Sequence, residues 1–220
     1  MKPLALDLCC GLGGWTNGLL AAGWDVIGCD IEKWPGYPAP QITGDVRNVD
    51  AELLDEMRDI TKGRRVSLVV ASPPCQEFSK LSLPFFHKLK KSGFQPDKTI
   101  WEACVRIAQE LKAPLVLENV RGAQTYMGPA KSHSGSFYLW GDVPACIPQV
   151  SKPKGINLDR KNFNGKALPK DYAGPRKYWG KSKERKECSA RMAMIPPELS
   201  EWIGKCFYPV ADSSITRGEA

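Results

Sequence analysis

Short apolar runs that each stop at a polar or glycine-rich cluster limit what this 220-residue chain can fold into. Leu4-Ala5-Leu6-Asp7-Leu8 runs into a turn containing Gly11-Leu12-Gly13-Gly14, and Val26-Ile27-Gly28-Cys29 ends on Asp30. Val66–Ala71 stops at Ser72-Pro73-Pro74-Cys75, and Leu115-Val116-Leu117 stops at Glu118-Asn119-Val120. Between these runs the spacing turns helical. Residues 15–22 end at Gly23, Asp50 is placed to cap a helix over 51–60, and residues 99–111 repeat Ile100, Cys104, Ile107, Ala108 and Leu111 on one face. Phe137-Tyr138-Leu139-Trp140 reads as a fifth strand. Apolar strands alternating with helices predict an α/β fold with a mostly parallel sheet covered on both faces. Such sheets bind ligands beyond the carboxyl ends of their strands. All four polar clusters lie at such ends.

The pattern fails from about 141 to 188, where Pro, Gly and Lys dominate and Phe163, Tyr172, Tyr178 and Trp179 are scattered. We expect a small irregular basic lobe there, too short and polar to bury a core of its own. Residues 152–186 hold twelve Lys or Arg against three Asp or Glu, a balance of +9, while the whole chain carries +7. One segment thus supplies all the basic character, the footprint of a nucleic-acid contact. Pro196-Pro197 precedes a helix predicted over 198–207, and the last residues read as a tail. No run approaches the roughly 18 apolar residues of a membrane span. Met1-Lys2-Pro3 enters the first strand at once, leaving no room for a signal peptide. The eight cysteines include no C-x-x-C pair, and only His87 and His133 offer imidazole, so we expect reduced, mostly buried thiols apart from Cys75, and no metal. An intracellular monomer is the expected form.

Glycine at a strand-to-helix turn lets a ligand approach the backbone, and an acid about twenty residues on can accept both hydroxyls of a ribose. Gly11, Gly13, Gly14 and Asp30 meet that demand for an adenosine-containing cofactor. A dinucleotide fingerprint would place glycine at position 16, which is Thr16. The segment Asp7-Leu8-Cys9-Cys10-Gly11-Leu12-Gly13-Gly14-Trp15 instead resembles the first motif of the DNA cytosine-5 methyltransferases, D-L-F-x-G-x-G-G followed by an aromatic. Asp30 resembles the acidic ribose ligand of that family's second motif, and Gly44-Asp45-Val46 its third. The resemblance implies a Rossmann-like class I methyltransferase fold with S-adenosyl-L-methionine as cofactor. The cofactor would be held by Asp7, Leu8, Cys9, Gly11, Gly13, Gly14, Trp15, Asp30, Ile31, Asp45, Val46 and Pro73, with Trp15 and Ile31 lining the adenine.

Pro74-Cys75-Gln76-Glu77-Phe78-Ser79 resembles the family's P-C-Q-x-F-S signature, and Glu118-Asn119-Val120, beginning 43 residues after Cys75, resembles its E-N-V. The chemistry explains why both are needed. Carbon 5 of cytosine is a poor nucleophile until a thiolate adds at carbon 6. Cys75 is expected to be that nucleophile, in a partly exposed, electropositive setting. Glu118, its pKa raised by burial, would assist at N3. The target base would have to leave its duplex to reach them. By resemblance, Pro74, Gln76, Ser79, Asn119, Arg121, Lys131 and His133 are the candidate substrate contacts.

The likeness is good over residues 4–141 and poor beyond. The family's Q-x-R-x-R is replaced by Lys131-Ser132-His133-Ser134-Gly135-Ser136, so Lys131, His133 or Arg121 must take over the arginines' contact, or it is lost. Gly135–Gly141 and Ser189–Pro196 are similar to compact phage and prophage methyltransferases. The expected organisation is a catalytic domain at 1–141, a basic target-recognition segment at 142–188, a return to the catalytic domain at 189–210, and a tail at 211–220. Three other functions compete: a cytosine methyltransferase acting on RNA such as tRNA, a silent nucleic-acid-binding protein, and a nicotinamide oxidoreductase. The last would leave Cys75 and Glu118 unexplained. Lysine and arginine on phosphates give affinity that falls with salt and no sequence readout. We therefore predict a short or relaxed recognition site. Sequencing of modified bases in DNA treated with purified protein checks this, and modification confined to one long sequence would contradict it.

Overall fold

The computed structural model describes residues 1–48, 63–81, 93–150, 190–191 and 193–209. The helix expected over 51–60, most of the basic segment and the tail at 211–220 lie outside these residues. Seven strands are described: β1 (Leu4–Leu8), β2 (Asp25–Asp30), β3 (Gln41–Thr43), β4 (Val66–Ala71), β5 (Leu115–Asn119), β6 (Ser132–Ser134) and β7 (Phe137–Gly141). The described helices are α1 (Gly14–Ala21), α2 (Gln76–Leu81), α3 (Thr99–Leu111), α4 (Gln124–Met127) and α5 (Pro197–Phe207). The sheet order is β3-β2-β1-β4-β5-β7-β6. Strands β1 to β5 are parallel, and β7 runs antiparallel to both β5 and β6. The chain builds outward from β1 in one direction, then crosses to β4 and builds in the other. The crevice where ligands bind such sheets therefore lies at the ends of β1 and β4.

Side chains alternate between two apolar layers. Leu6, Leu8, Val69, Ala71 and Leu117 pack on one face with Cys104 and Ile107 of α3. Ala5, Leu68, Val70, Val116 and Leu139 pack on the other with Trp15 and Leu19 of α1 and Leu199 and Ile203 of α5. Every residue of β1 and β5 is buried, which is why these strands read as apolar runs apart from Asp7 in β1 and Glu118-Asn119 at the end of β5. The strands and helices expected from those runs appear within a residue or two of their predicted bounds. The short edge strands β3 and β6 were not anticipated, and each buries a single residue, too little to leave a periodic signal. Among the described residues no helix is long and apolar enough to cross a membrane. Of the described cysteines, Cys146 and Cys206 are exposed, contrary to the expectation of buried thiols; Cys10, Cys29 and Cys104 are buried.

Helix α5 brings the chain back onto α1. The Trp24 indole donates to the carbonyl of Gly204 (2.9 Å), and Ser200 Oγ donates to the carbonyl of Gly14 (3.1 Å). The helices cross on glycines. A Cβ at Gly18 would collide with Ser200 Oγ and the backbone nitrogen of Glu201, and one at Gly204 would lie 2.8 Å from Ala22 Cβ. Gly18 costs α1 some helix propensity and allows a contact that a larger residue would forbid. We predict that Gly18→Ala destabilises the fold by about 1–3 kcal/mol through overpacking, although the same change stabilises an exposed helix. Urea denaturation of the two proteins measures it.

Candidate active site

The turn after β1 winds tightly. Cys9, Gly11 and Gly13 all have positive φ (54°, 49° and 82°), and Gly13 N donates to Cys10 O at 2.9 Å. Because Leu8 pairs with Cys29, the turn emerges beside Asp30. The Asp30 carboxylate braces it, accepting from Gly11 N (2.9 Å) on one oxygen and from Glu32 N (3.0 Å) on the other. Each oxygen keeps a further lone pair for a ligand. The three glycines have different jobs. A Cβ at Gly11 would meet nothing within 4 Å, so this residue borders open space. At Gly13 it would lie 2.8 Å from Pro38 Cδ, and at Gly14 2.5 Å from Ile195 N. Those two glycines are demanded by protein packing.

The other cofactor candidates divide between the cleft and the interior. Asp7 is fully buried beneath α1, accepting from Thr16 Oγ1 (2.7 Å), with the Tyr37 hydroxyl at 3.4 Å. Burial pushes its pKa up to about 7 against the opposing effect of those bonds. Leu8, Trp15 and Val46 are buried, and Cys9 lies against the Cys104 thiol. Ile31 is 64% exposed. At the end of β3, Asp45 is held by Arg47, whose Nη2 approaches to 2.6 Å and whose guanidinium keeps that carboxyl below the usual carboxylate range. Open space at Gly11, a carboxylate with spare lone pairs and an exposed apolar side chain beside it form a cradle that suits an adenosine group. Among the described residues no group of three or more His, Cys, Asp or Glu could hold a metal ion.

The second cluster follows from strand register. Ala71 pairs with Leu117, so Ser72 and Glu118 stand side by side at the ends of β4 and β5. Glu118 is buried, and desolvation pushes its pKa up to about 8, moderated by a hydrogen bond with Ser72. Its acid form is thereby well populated at neutral pH. Cys75 precedes α2, whose first turn closes by Ser79 N donating to Cys75 O (2.9 Å). The thiol is half-buried, and its pKa is raised, first by burial and second by the charge of Glu118, against a hydrogen bond with Ser79. This corrects the expected electropositive setting: the described surroundings hold the free thiol protonated. A cavity of about 270 Å³, lined by Pro73, Pro74, Gln76, Phe78, Ile100 and Trp101 among others, opens beside this loop.

Asn119, 1% exposed, ties the two clusters together. Its Nδ2 donates to Pro73 O (3.0 Å) and its Oδ1 accepts from Val120 N (2.9 Å). Its amide is engaged inside the protein, holding the loop of Cys75 against the end of β5. Gln76 is exposed, and Arg121 lies exposed in the 3-10 turn directly after Glu118–Val120. Lys131 Nζ reaches Gly141 O at 3.4 Å. His133 is exposed and stacks on Tyr138, ring centroids 4.9 Å apart. Cross-strand partners share a sheet face, and the register aligns Glu118 with Leu139 and Ser132, but Asn119 with Tyr138 and His133. Ser132, and not His133, therefore shares the face of Glu118. Sequence reasoning missed Ser72. Its signal was its place as the first polar residue after β4, three before Cys75.

With this geometry in hand, similarity to known proteins can be stated. The model of the C-5 cytosine-specific DNA methylases matches residues 4–127. Type II methyltransferase M.HgiDI of Herpetosiphon aurantiacus is 25% identical over 148 residues, 66% of this chain and 44% of that protein. Type II methyltransferase M.HgiGI of the same organism is 29% identical over 77 residues, 34% of this chain and 60% of the other. The chain thus spans about half the length of these curated relatives. A prophage-encoded E. coli protein, solved as a DNA modification methyltransferase, superposes with a TM-score of 0.42 at 22% identity, over 57% of this chain and 34% of its own.

The shared burial of Cys75 and Glu118 has a measurable consequence. We predict that iodoacetamide modifies Cys75 of the free protein several-fold more slowly than exposed Cys146 at neutral pH. Glu118→Gln should lower the pH at which Cys75 becomes reactive, because it removes the neighbouring charge. Peptide mass spectrometry across a pH series gives both results.

Proposed function

The chain belongs to the family of C-5 cytosine-specific DNA methylases, and from that premise we propose that it methylates carbon 5 of cytosine in DNA, with Cys75 as nucleophile and Glu118 as acid. The observation that carries this reading is the convergence of Cys75 and a buried Glu118, whose pKa is about 8, at strand ends next to the cradle of Gly11 and Asp30. S-adenosyl-L-methionine, held by Gly11, Asp30, Ile31 and Asp45, supplies an electrophilic methyl group when bound.

The chain's own residues then have separable tasks. Cys75 Sγ, as thiolate, adds to carbon 6 of the cytosine, and the ring's electron density moves toward N3. Glu118 in its acid form donates a hydrogen bond or proton at N3, which makes carbon 5 enamine-like. Once carbon 5 carries the methyl group, loss of its proton to water, return of the N3 proton to Glu118 and expulsion of the thiolate restore the aromatic ring. Because burial favours neutral forms of both groups, the productive arrangement carries one proton, on Glu118, and one charge, on sulfur. The thiol proton must therefore leave as substrate binds. Extruding the base from a duplex costs roughly a few kcal/mol, and the lysines and arginines of 152–186 offset it by gripping phosphates. We assign DNA recognition to residues 142–188 and the chemistry to the sheet.

A 5-fluorocytosine in the DNA cannot lose fluorine as a cation, so the adduct is trapped. Incubation of the protein with cofactor and random-sequence duplex containing 5-fluorocytosine should give a covalent complex through Cys75. Cys75→Ser should abolish it, and Glu118→Gln should slow its formation by about 10²–10⁴-fold, the usual worth of general acid catalysis. A wild-type protein that methylates DNA without trapping at Cys75 would overturn the assignment.

A further inference from the structure

Ser72 and Trp15 form a polar link that the chemistry above does not use. Strand register lines up Leu8 with Ala71 and Ala71 with Leu117, so β1 and β4 end level with Leu117 of β5, one residue short of Glu118. Ser72 leaves β4 between the glycine turn and Glu118, its backbone nitrogen donating to Leu8 O at 3.2 Å. Trp15, in the first turn of α1, is 2% exposed, and its Nε1 lies 3.0 Å from Ser72 Oγ. An indole nitrogen is a donor only, so in this bond the serine oxygen accepts. The hydroxyl proton remains free for its other neighbour, the carboxyl of Glu118. A bond from Ser72 opposes the rise that burial imposes on the Glu118 pKa.

We propose that Ser72, held by Trp15, is a positioning residue that decides which oxygen of Glu118 carries the proton. A hydroxyl that donates to one carboxyl oxygen makes that oxygen the acceptor and leaves the proton to the other. With the Ser72 side of Glu118 occupied from β4, the protonated oxygen is the one turned away from Ser72, toward the cleft and the ring nitrogen of a bound base. The same bond favours the ionised carboxyl and so restrains a pKa that burial alone would raise further. Trp15 thereby couples the first turn of α1, next to the cofactor cradle, to the acid on β5. This inference rests on Glu118 acting as the acid of the proposed reaction.

The coupling can be observed without turnover. In a ¹⁵N-labelled chain, the Trp15 indole N–H resonance, identified by its loss in Trp15→Phe, should shift with pH with a midpoint near 8. The shift should vanish in Glu118→Gln and in Ser72→Ala and persist in Ser72→Thr, which keeps the hydroxyl. In methyl transfer, wild-type kcat should fall as pH rises through the Glu118 pKa. Ser72→Ala should move that limb up by about one pH unit, roughly what a hydrogen bond to a charged group is worth. It should also lower kcat without raising the cofactor KM, while Ser72→Thr restores both. If Ser72→Ala does not fold, the wild-type and Ser72→Thr titrations still decide. A Trp15 resonance indifferent to pH in the wild type, or a Ser72→Ala limb at the wild-type position, overturns the proposal. Absence of a 5-fluorocytosine adduct instead overturns the functional reading and leaves the resonance titration standing as the test of the link.

Discussion

Leu8, Ala71 and Leu117 pair across β1, β4 and β5, and this register sets what the molecule can do. Each strand delivers its first polar residues at the same height: the glycine turn from β1, Ser72 and then Cys75 from β4, Glu118 from β5. A slip of one residue in β5 would send Glu118 to the α3 face and Asn119 to the α1 face, because side chains alternate with a period of two. The acid and the serine would part, and so would the amide that anchors Pro73. Register is secured here by burial. Alternate residues of β4 and β5 feed two separate apolar layers, and a one-residue slip would exchange their contents.

Burial that secures the strands also disfavours charge, and the two reactive groups share this effect. Glu118 is pushed up to about 8. Cys75 is raised as well, with the Glu118 charge as its second cause. Each group therefore makes ionisation of the other harder. At neutral pH a protonated Glu118 withdraws its opposition to a Cys75 thiolate. In the proposed reaction the acid would thus serve the nucleophile before any base arrives. The site resists having both groups charged, and the arrangement that the proposed reaction calls for is the one with a single charge on sulfur.

The strands of the inner sheet were legible because each is buried on both faces and reads as an apolar run. Helix α3 was legible because its buried stripe of Cys104, Ile107 and Ala108 recurs at helical spacing. The edge strands β3 and β6 were not, since one buried residue in three has no period. Within the site, residue types were readable and directions were not. Asn119 and Asp7 look like ligand contacts in sequence, yet the fold turns both side chains inward, to Pro73 and to Thr16. Gly13 and Gly14 look like room for a ligand, yet the chain itself fills that room with Pro38 and Ile195. His133 stands next in sequence to the residue that shares the face of Glu118, a distinction set by cross-strand register alone. The raised pKa of Cys75 depends on what surrounds it in space, which a P-C-Q tripeptide does not encode.

The contact of Gly14 with Ile195 also bears on how the basic segment is held. Residues just before it are pinned to β6: Ser134 Oγ donates to Pro148 O and accepts from Val150 N (3.0 Å), and Gln149 Nε2 donates to His133 O (3.1 Å). Residues after it are pinned to α1 through Ile195 and Ser200. These anchor points flank β5 and Glu118, one toward the β6 edge of the sheet and one at the glycine turn. Val150 and Ile195, which flank the basic segment in sequence, thus sit on opposite sides of Glu118. The register of β1, β4 and β5 is set by pairs among residues 4–8, 66–71 and 115–117 and involves none of the basic segment.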